Sequence, residues 1–433
     1  MPGTFSPLLF GAHLLFNKAT DDVRSKPAFL RSLESIPVSN LRFPGGTIGD
    51  NYLWREEKTA RSDWFPFDYQ ASQNDLDFDE FMAVARCIGA QPTIVLNLRT
   101  WVARGDIEGG IAQAEDWLRY ANQQKGHGIR YWELGNEVWG RKRQKQSPML
   151  GAEYGRYYST FRKRLKAIDP SIELGLVLPS KLEDVAMGDV GSWWDETIKG
   201  ANGEIDYLVI HRYVVPPMRK LVRTGSTIDA LLARIQEKTH ASLGRPLPVH
   251  MTEWNIGSRS AGRPGIVRHD SIGHALFVAD GLLDLAESGV RLATYWPLFG
   301  PADQGLLDKS DLSLNASGKA MKLLAPLAGW RIARVQSRVA PDMQISLLAS
   351  GDNQQQAVVA INWSPRDVVV DWQALIGGCS ASAQVLRPSG PVEIPEDLAA
   401  AAREDSAHNI AGAYSLAGFS VAVITTRTTA ACN

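Results

Sequence analysis

Two glutamates occupy positions where catalytic chemistry is expected. Glu137 closes the stretch Tyr131-Trp132-Glu133-Leu134-Gly135-Asn136-Glu137, and Glu253 lies within His250-Met251-Thr252-Glu253-Trp254-Asn255. Each follows a short apolar run that reads as a buried strand. An isolated glutamate is ordinarily a solvated charge or a helix cap. Two of them at the ends of parallel strands can share one reaction. A protonated carboxyl releases a leaving oxygen while an ionised one attacks the anomeric carbon, as in a retaining glycosidase with carboxyl groups about 5–5.5 Å apart. The two environments must then differ. Trp132 and Trp139 flank Glu137 and would favour its protonated form, whereas polar partners would keep Glu253 ionised.

Other candidate groups fall just past such runs. Asn136 can hydrogen-bond a sugar hydroxyl beside the reacting carbon. Arg42, in Leu41-Arg42-Phe43-Pro44-Gly45-Gly46, can hold an ionised nucleophile in place, and the glycine pair lets the chain turn sharply beside it. His211 and Tyr213 can orient Glu253, and Asn97 adds a polar group after the third run. Trp54, Trp101, Trp139, Trp254 and Trp296 all follow strand runs and offer faces on which sugar rings stack. The eight histidines show no His-x-x-x-His spacing, the cysteines no Cys-x-x-Cys, and no Gly-x-Ser-x-Gly elbow occurs. Neither a metal nor a cofactor is implied.

These residues need a scaffold that gathers strand ends. Eight apolar runs recur with helical segments between them: Leu8–Phe16, Asn40–Phe43, Pro92–Leu98, Arg130–Leu134, Ile172–Leu178, Tyr207–His211, Pro248–Thr252 and Leu292–Trp296. Helical patterns cover Asp77–Ile88, Gly110–Gln123 and Glu153–Ala167. An open doubly wound sheet has the same periodicity, but no Gly-x-Gly-x-x-Gly and no P-loop is present. A (β/α)8 barrel over 1–327 is expected, with the candidate groups at its carboxyl face. Beyond it, alternating runs at Gln344–Leu348, Ala357–Trp363, Val368–Trp372 and Ser420–Thr426 predict an antiparallel β-sandwich over 328–433. The stretch Pro391–Ala411 reads as a loop with a helical turn.

Composition narrows the partners. With 44% hydrophobic and 21% charged residues the chain can bury a large core, and a net charge of −1 supplies no basic face for nucleic acid. No apolar stretch is long enough to span a bilayer. The three cysteines, Cys87, Cys379 and Cys432, form no disulfide framework. Pro7–Phe16 lacks a basic flank and a small-residue cleavage site, so a cytoplasmic location is expected; a trimmed start would instead fit a secreted or periplasmic protein. The partner implied is an oligo- or polysaccharide.

At these motifs the sequence resembles clan A glycoside hydrolases, which share the barrel and carry Asn-Glu after strand four and a nucleophilic Glu after strand seven. Within that clan, Arg42-Phe43-Pro44-Gly45-Gly46 with Tyr52 and Trp54, Asn97-Leu98-Arg99-Thr100, Leu134-Gly135-Asn136-Glu137 and Glu253-Trp254-Asn255 are similar to family 51, the α-L-arabinofuranosidases. The resemblance implies a retaining hydrolase with Glu137 as acid/base and Glu253 as nucleophile. Two departures stand out. Gly11-Ala12-His13 ends strand one where that family presents a Glu-His pair, and so little precedes strand one that the sandwich is not expected to borrow an amino-terminal strand. Families 39 and 79 carry related motifs and imply a second substrate class, a uronic-acid-containing or exopolysaccharide glycan. Arg99, Arg104, Arg141, Lys142, Arg143 and Lys145 would suit such a substrate. A carbohydrate-binding barrel without turnover is the reading from outside enzymes.

Overall fold

A computed structural model describes the chain except residues 1–2, 57, 60–71, 140–148, 181–189, 215–224, 257–269, 301–303, 336–341, 379, 391, 393–399 and 428–433. Eight parallel strands close a barrel: β1 Gly11–His13, β2 Asn40–Phe43, β3 Gln91–Leu96, β4 Tyr131–Leu134, β5 Glu173–Leu178, β6 Tyr207–Val214, β7 Val249–Ile256 and β8 Leu292–Tyr295. They follow chain order around the ring, with β8 pairing back onto β1. All eight expected runs are strands of this barrel.

Local chemistry fixes the helices between them. Asp77 caps Phe78–Cys87 through a reciprocal capping box with Glu80, which satisfies two otherwise unpaired amides. Gly151–Ile168 ends at Asp169, just before Pro170. Ile107–Leu118 runs on into a π-helical turn, Arg119–Gln124.

After the barrel come β9 Arg331–Val335, β10 Met343–Ala349, β11 Gln355–Asn362, β12 Val368–Val370, β13 Ala381–Pro388, β14 Ala402–Ile410, β15 Tyr414–Leu416 and β16 Ser420–Arg427. Six of them, with Gly3–Thr4, make a seven-stranded sheet, and β12 pairs with β15 in a small second layer. Strand alternation buries both faces of the large sheet. Along β11, Ala357, Val359 and Ile361 join the main core, while Val358 and Ala360 pack with Val370, Trp372 and Leu416 of the second layer. The helix Ile272–Glu287 lies between barrel and sheet and is buried from Ile272 through Ala286.

Two expectations fail here. Gly3–Thr4 does pair antiparallel with β9, so the sandwich borrows an amino-terminal strand, only two residues long. Nor is 402–410 a loop: it forms β14, the edge strand beside β13. Pairing with a preformed strand overrides its polar composition, and the alternating charges Arg403, Glu404 and Asp405 suit an exposed edge. Among the described residues no helix is long and apolar enough to cross a membrane.

Candidate active site

Strand register decides which side chains enter the barrel mouth. In β4, Glu133 faces the interior, where it meets Arg42, and Trp132 faces the helices, edge-on to Trp117. The chain then turns through Gly135 at φ 74° and Glu137 at φ 47°. In β7 a register shift between His250 and Glu253 inserts one extra residue opposite β6. Residues three apart in a regular strand face opposite sides, yet here His250 stacks inside the barrel on Tyr207 while Glu253 also points inward. The bulge re-aims Glu253. The following Trp254 turns outward onto Phe277.

One carboxylate oxygen of Glu137, one of Glu253 and a His211 ring nitrogen lie within 4.8 Å of one another. His211 Nδ1 is 3.2 Å from Glu137 Oε1 and 3.7 Å from Glu253 Oε2. The Tyr213 hydroxyl donates to Glu253 Oε2 at 2.7 Å, and Arg42 Nη1 donates to Glu253 Oε1 at 3.0 Å. Arg42 is fully buried and also donates to Glu133 Oε2 at 2.8 Å and to Asn136 Oδ1 at 3.1 Å. One guanidinium thus ties the ends of β2, β4 and β7 together.

Electrostatics favours the ionised form of Glu253. Burial alone would raise the Glu253 carboxyl, but its electrostatic interactions with His211 and Arg42 outweigh this and hold the group below its ordinary value. Burial pushes His13 down to about 3, so it stands neutral, its Nε2 2.5 Å from the Thr252 carbonyl. Burial likewise pushes Asp50 up to about 7, against the pull of Arg99. Glu137, His211 and Glu253 could offer three ligand atoms to a metal ion. Arg42 already supplies a cation 3.0 Å from Glu253, however, and a second positive charge would be repelled. The arrangement suits nucleophilic attack and proton transfer better.

Of the residues expected at the site, Glu137, Glu253, Asn136, Arg42, His211, Tyr213 and Trp296 come together. Trp296 packs edge-on to His13 with ring centroids 4.6 Å apart. A Cβ on Gly46 would stand 2.7 Å from Glu253 Oε1 and 3.2 Å from the Trp296 ring, so only glycine fits between them. Trp139 follows two residues after Glu137 and packs edge-on to Trp193.

Four expectations are corrected. Trp54 is buried, stacked 5.7 Å from Trp117 in the layer between strands and helices. Trp254 is buried on the far side of β7, as period-two alternation from Glu253 requires. Trp101 sits in the helix Arg99–Arg104, donates to Gln113 Oε1 and covers Gly109 and Gly110. Asn97 holds scaffold, donating to the Tyr52 carbonyl and accepting from the Thr100 amide. Of the basic residues, Arg99 is buried against backbone carbonyls and Arg104 lies over the Trp101 ring; 141–145 fall outside the described residues. Replacing Trp54 or Trp254 by Ala is therefore expected to cost about 3–5 kcal/mol of stability with little change in KM, whereas Trp296→Ala raises KM. Denaturant unfolding and steady-state kinetics on the three variants separate the two behaviours.

Sequence reasoning missed Glu133, His13 and Asp50, and offered Arg99 only as a basic group for an acidic substrate. A glutamate inside an apolar strand needs a buried partner. Arg42, already a candidate, was the signal for Glu133. Asp50 and Arg99 gave no comparable signal, because their contacts are between loops.

No family model matches the chain. It is 27% identical over 313 residues, 60% of its length, to α-L-arabinofuranosidase C of Emericella nidulans, of which it spans 57%. It is 26% identical over 220 residues, 46% of its length, to an intracellular exo-α-(1→5)-L-arabinofuranosidase of Acetivibrio thermocellus, of which it spans 40%. The chain thus spans about half the length of these curated relatives. Its fold is similar to the solved structure of a family 51 α-L-arabinofuranosidase from Bifidobacterium longum, with TM-score 0.75 and 15% identity over 99% of this chain and 97% of that one. The sequence relatives carry the arabinofuranosidase name, and the solved structure shares the fold.

Proposed function

We propose that the chain is a retaining glycoside hydrolase of α-L-arabinofuranosidase type acting on an oligo- or polysaccharide. The observation that carries this reading is the pair of buried glutamates at the ends of β4 and β7, with oxygens within 4.8 Å and unlike partners. Oxygens that close support the short carboxyl separation of a retaining enzyme, about 5–5.5 Å, over the about 6.5–9.5 Å of an inverting one.

In this mechanism Glu253, oriented by Arg42 and Tyr213, attacks the anomeric carbon as Glu137 gives its proton to the departing oxygen. The glycosyl ester on Glu253 is then hydrolysed by a water whose proton returns to Glu137. Asn136 has its carbonyl oxygen engaged by Arg42, so a sugar hydroxyl would meet its amide NH2. The similarity in sequence to named arabinofuranosidases supports the sugar. A second reading is a uronic-acid or exopolysaccharide glycan, since Ala12, buried in β1, withholds the side-chain hydrogen bond that the arabinofuranosidase resemblance implies there. Activity against 4-nitrophenyl α-L-arabinofuranoside compared with β-xyloside, β-glucuronide and acidic polysaccharides tests the choice. Turnover confined to the arabinofuranoside supports the first reading, and turnover confined to the acidic substrates replaces it with the second.

The proposal includes a catalytic unit over 1–327, a sandwich over 328–433 to which Gly3–Thr4 adds a strand, and a cytoplasmic site of action. The free, exposed thiol of Cys87 supports that compartment, since an oxidising one would leave it open to mispairing.

The pH dependence follows from Glu253. Its folded carboxyl lies below the ordinary value of 4.5, so it stays ionised down through that pH and is lost as nucleophile only in stronger acid. The acid limb of kcat/KM is therefore expected below pH 4.5. An acid limb well above it would mean that the cationic partners do not control Glu253.

A further inference from the structure

The residue read as acid/base stands in a backbone conformation that non-glycine residues seldom adopt. Glu137 has φ 47°, two residues after Gly135 at φ 74°. Such a turn persists only where its surroundings enforce it. Contacts from the end of β3, from a 3-10 turn and from the start of the helix Arg99–Arg104 do so here. The Gly135 amide donates to the Leu96 carbonyl at 2.9 Å. The Asn136 amide donates to Asp50 Oδ2 at 3.0 Å, and Asp50 belongs to the 3-10 turn Thr47–Asn51 just beyond Gly46. On the other side of Glu137, Arg99 Nη2 donates to the Val138 carbonyl at 2.7 Å and reaches the Glu137 carbonyl at 3.4 Å. Arg99 Nε lies 3.8 Å from Asp50 Oδ2, so the two form a pair that brackets Glu137 along the backbone.

Both groups are buried, Asp50 fully and Arg99 to 7% exposure. Besides the Asn136 amide, the Leu98 and Arg99 backbone amides hydrogen-bond the Asp50 carboxyl, and a Cβ at Gly135 would stand 3.1 Å from its Oδ1. Together Asp50 and Arg99 fix peptide groups on both sides of Glu137, through the Asn136 amide and the Glu137 and Val138 carbonyls, and so aim its side chain at His211 and Glu253.

We propose that Asp50 and Arg99 are positioning residues, a buried clamp that holds the β4 turn in the left-handed conformation from which Glu137 delivers its proton. This rests on the glycosidase reading for its kinetic consequence. Misplacing a catalytic group by about 1 Å costs on the order of 100-fold, and a loss confined to proton delivery depends on the leaving group. Phenyl glycosides need the proton, whereas 2,4-dinitrophenyl glycosides of the same sugar leave without it.

The test compares wild type with Asp50→Ala, Asp50→Asn and Arg99→Ala on such a substrate pair. Asp50→Ala and Arg99→Ala are expected to lower kcat/KM about 100-fold for the phenyl glycoside and less than about 3-fold for the dinitrophenyl one. Asp50→Asn keeps an acceptor for the Asn136 amide and should recover most of the loss. Equal losses on both substrates in folded variants, or no loss on either, would overturn the clamp. A crystal structure of Asp50→Ala gives a readout independent of turnover: Glu137 is expected to leave the left-handed region, and an unchanged turn would overturn the proposal. A wild type inert on every glycoside would refute the hydrolase reading instead, with the structural arm still deciding the clamp.

Discussion

Glu253→Gln is expected to lower turnover by roughly 10⁴-fold or more while leaving the protein folded. The amide is nearly isosteric with the carboxylate, and its oxygen can still accept from Arg42 or Tyr213, which bond Glu253 at 3.0 and 2.7 Å. What disappears is the negative charge and the nucleophilic lone pair, and with them the glycosyl-enzyme ester. Steady-state kinetics beside a thermal unfolding curve check this. A variant that kept more than about a tenth of wild-type turnover would remove Glu253 from the reaction.

Arg42→Met has the second large effect, and it falls on both stability and activity. Arg42 is the buried cation that faces Glu133 and Glu253, both of them carboxylates away from water. Burial works against its charge, but Glu133 and Glu253 outweigh this and hold its pKa above the ordinary value. Methionine of similar volume leaves two buried acids without a counter-charge. Breaking such a network from one side costs about 3–5 kcal/mol, and the unfolding midpoint should fall accordingly. Without the guanidinium, one of the groups that offset burial at Glu253 is lost and its carboxyl rises, so the acid limb of kcat/KM should move to higher pH. A variant as stable as wild type, with an unmoved acid limb, would show that Arg42 does not set the charge state of the site.

The barrel could be read in the sequence because its strands are buried runs of short, regular spacing, and Glu137 and Glu253 because each follows such a run. What escaped depended on register or on contacts between loops. The bulge in β7 that turns Glu253 inward leaves no mark in the residue types. Trp254 was legible in principle, since a residue beside an inward Glu must face outward, whereas the burial of Trp54 follows from a helix far along the chain, at Trp117. Asn97 looked functional because it ends a strand, yet its amide is spent on Tyr52 and Thr100. The strand β14 was hidden for another reason. Its sequence is polar and alanine-rich, and only pairing with β13 makes it extended. Glu133, Asp50 and Arg99 show the same limit at the site itself, where buried charges find partners across loops.

Covalent catalysis at Glu253 is tested most directly by intact mass and peptide mapping after incubation with 2-fluoro glycosyl probes of several sugar configurations, wild type beside Glu253→Gln. The predicted result is one added glycosyl unit, formed with one configuration, mapped to Glu253 and absent from the variant. An adduct on another residue, or turnover of that sugar's glycosides with inversion and no adduct, would contradict it.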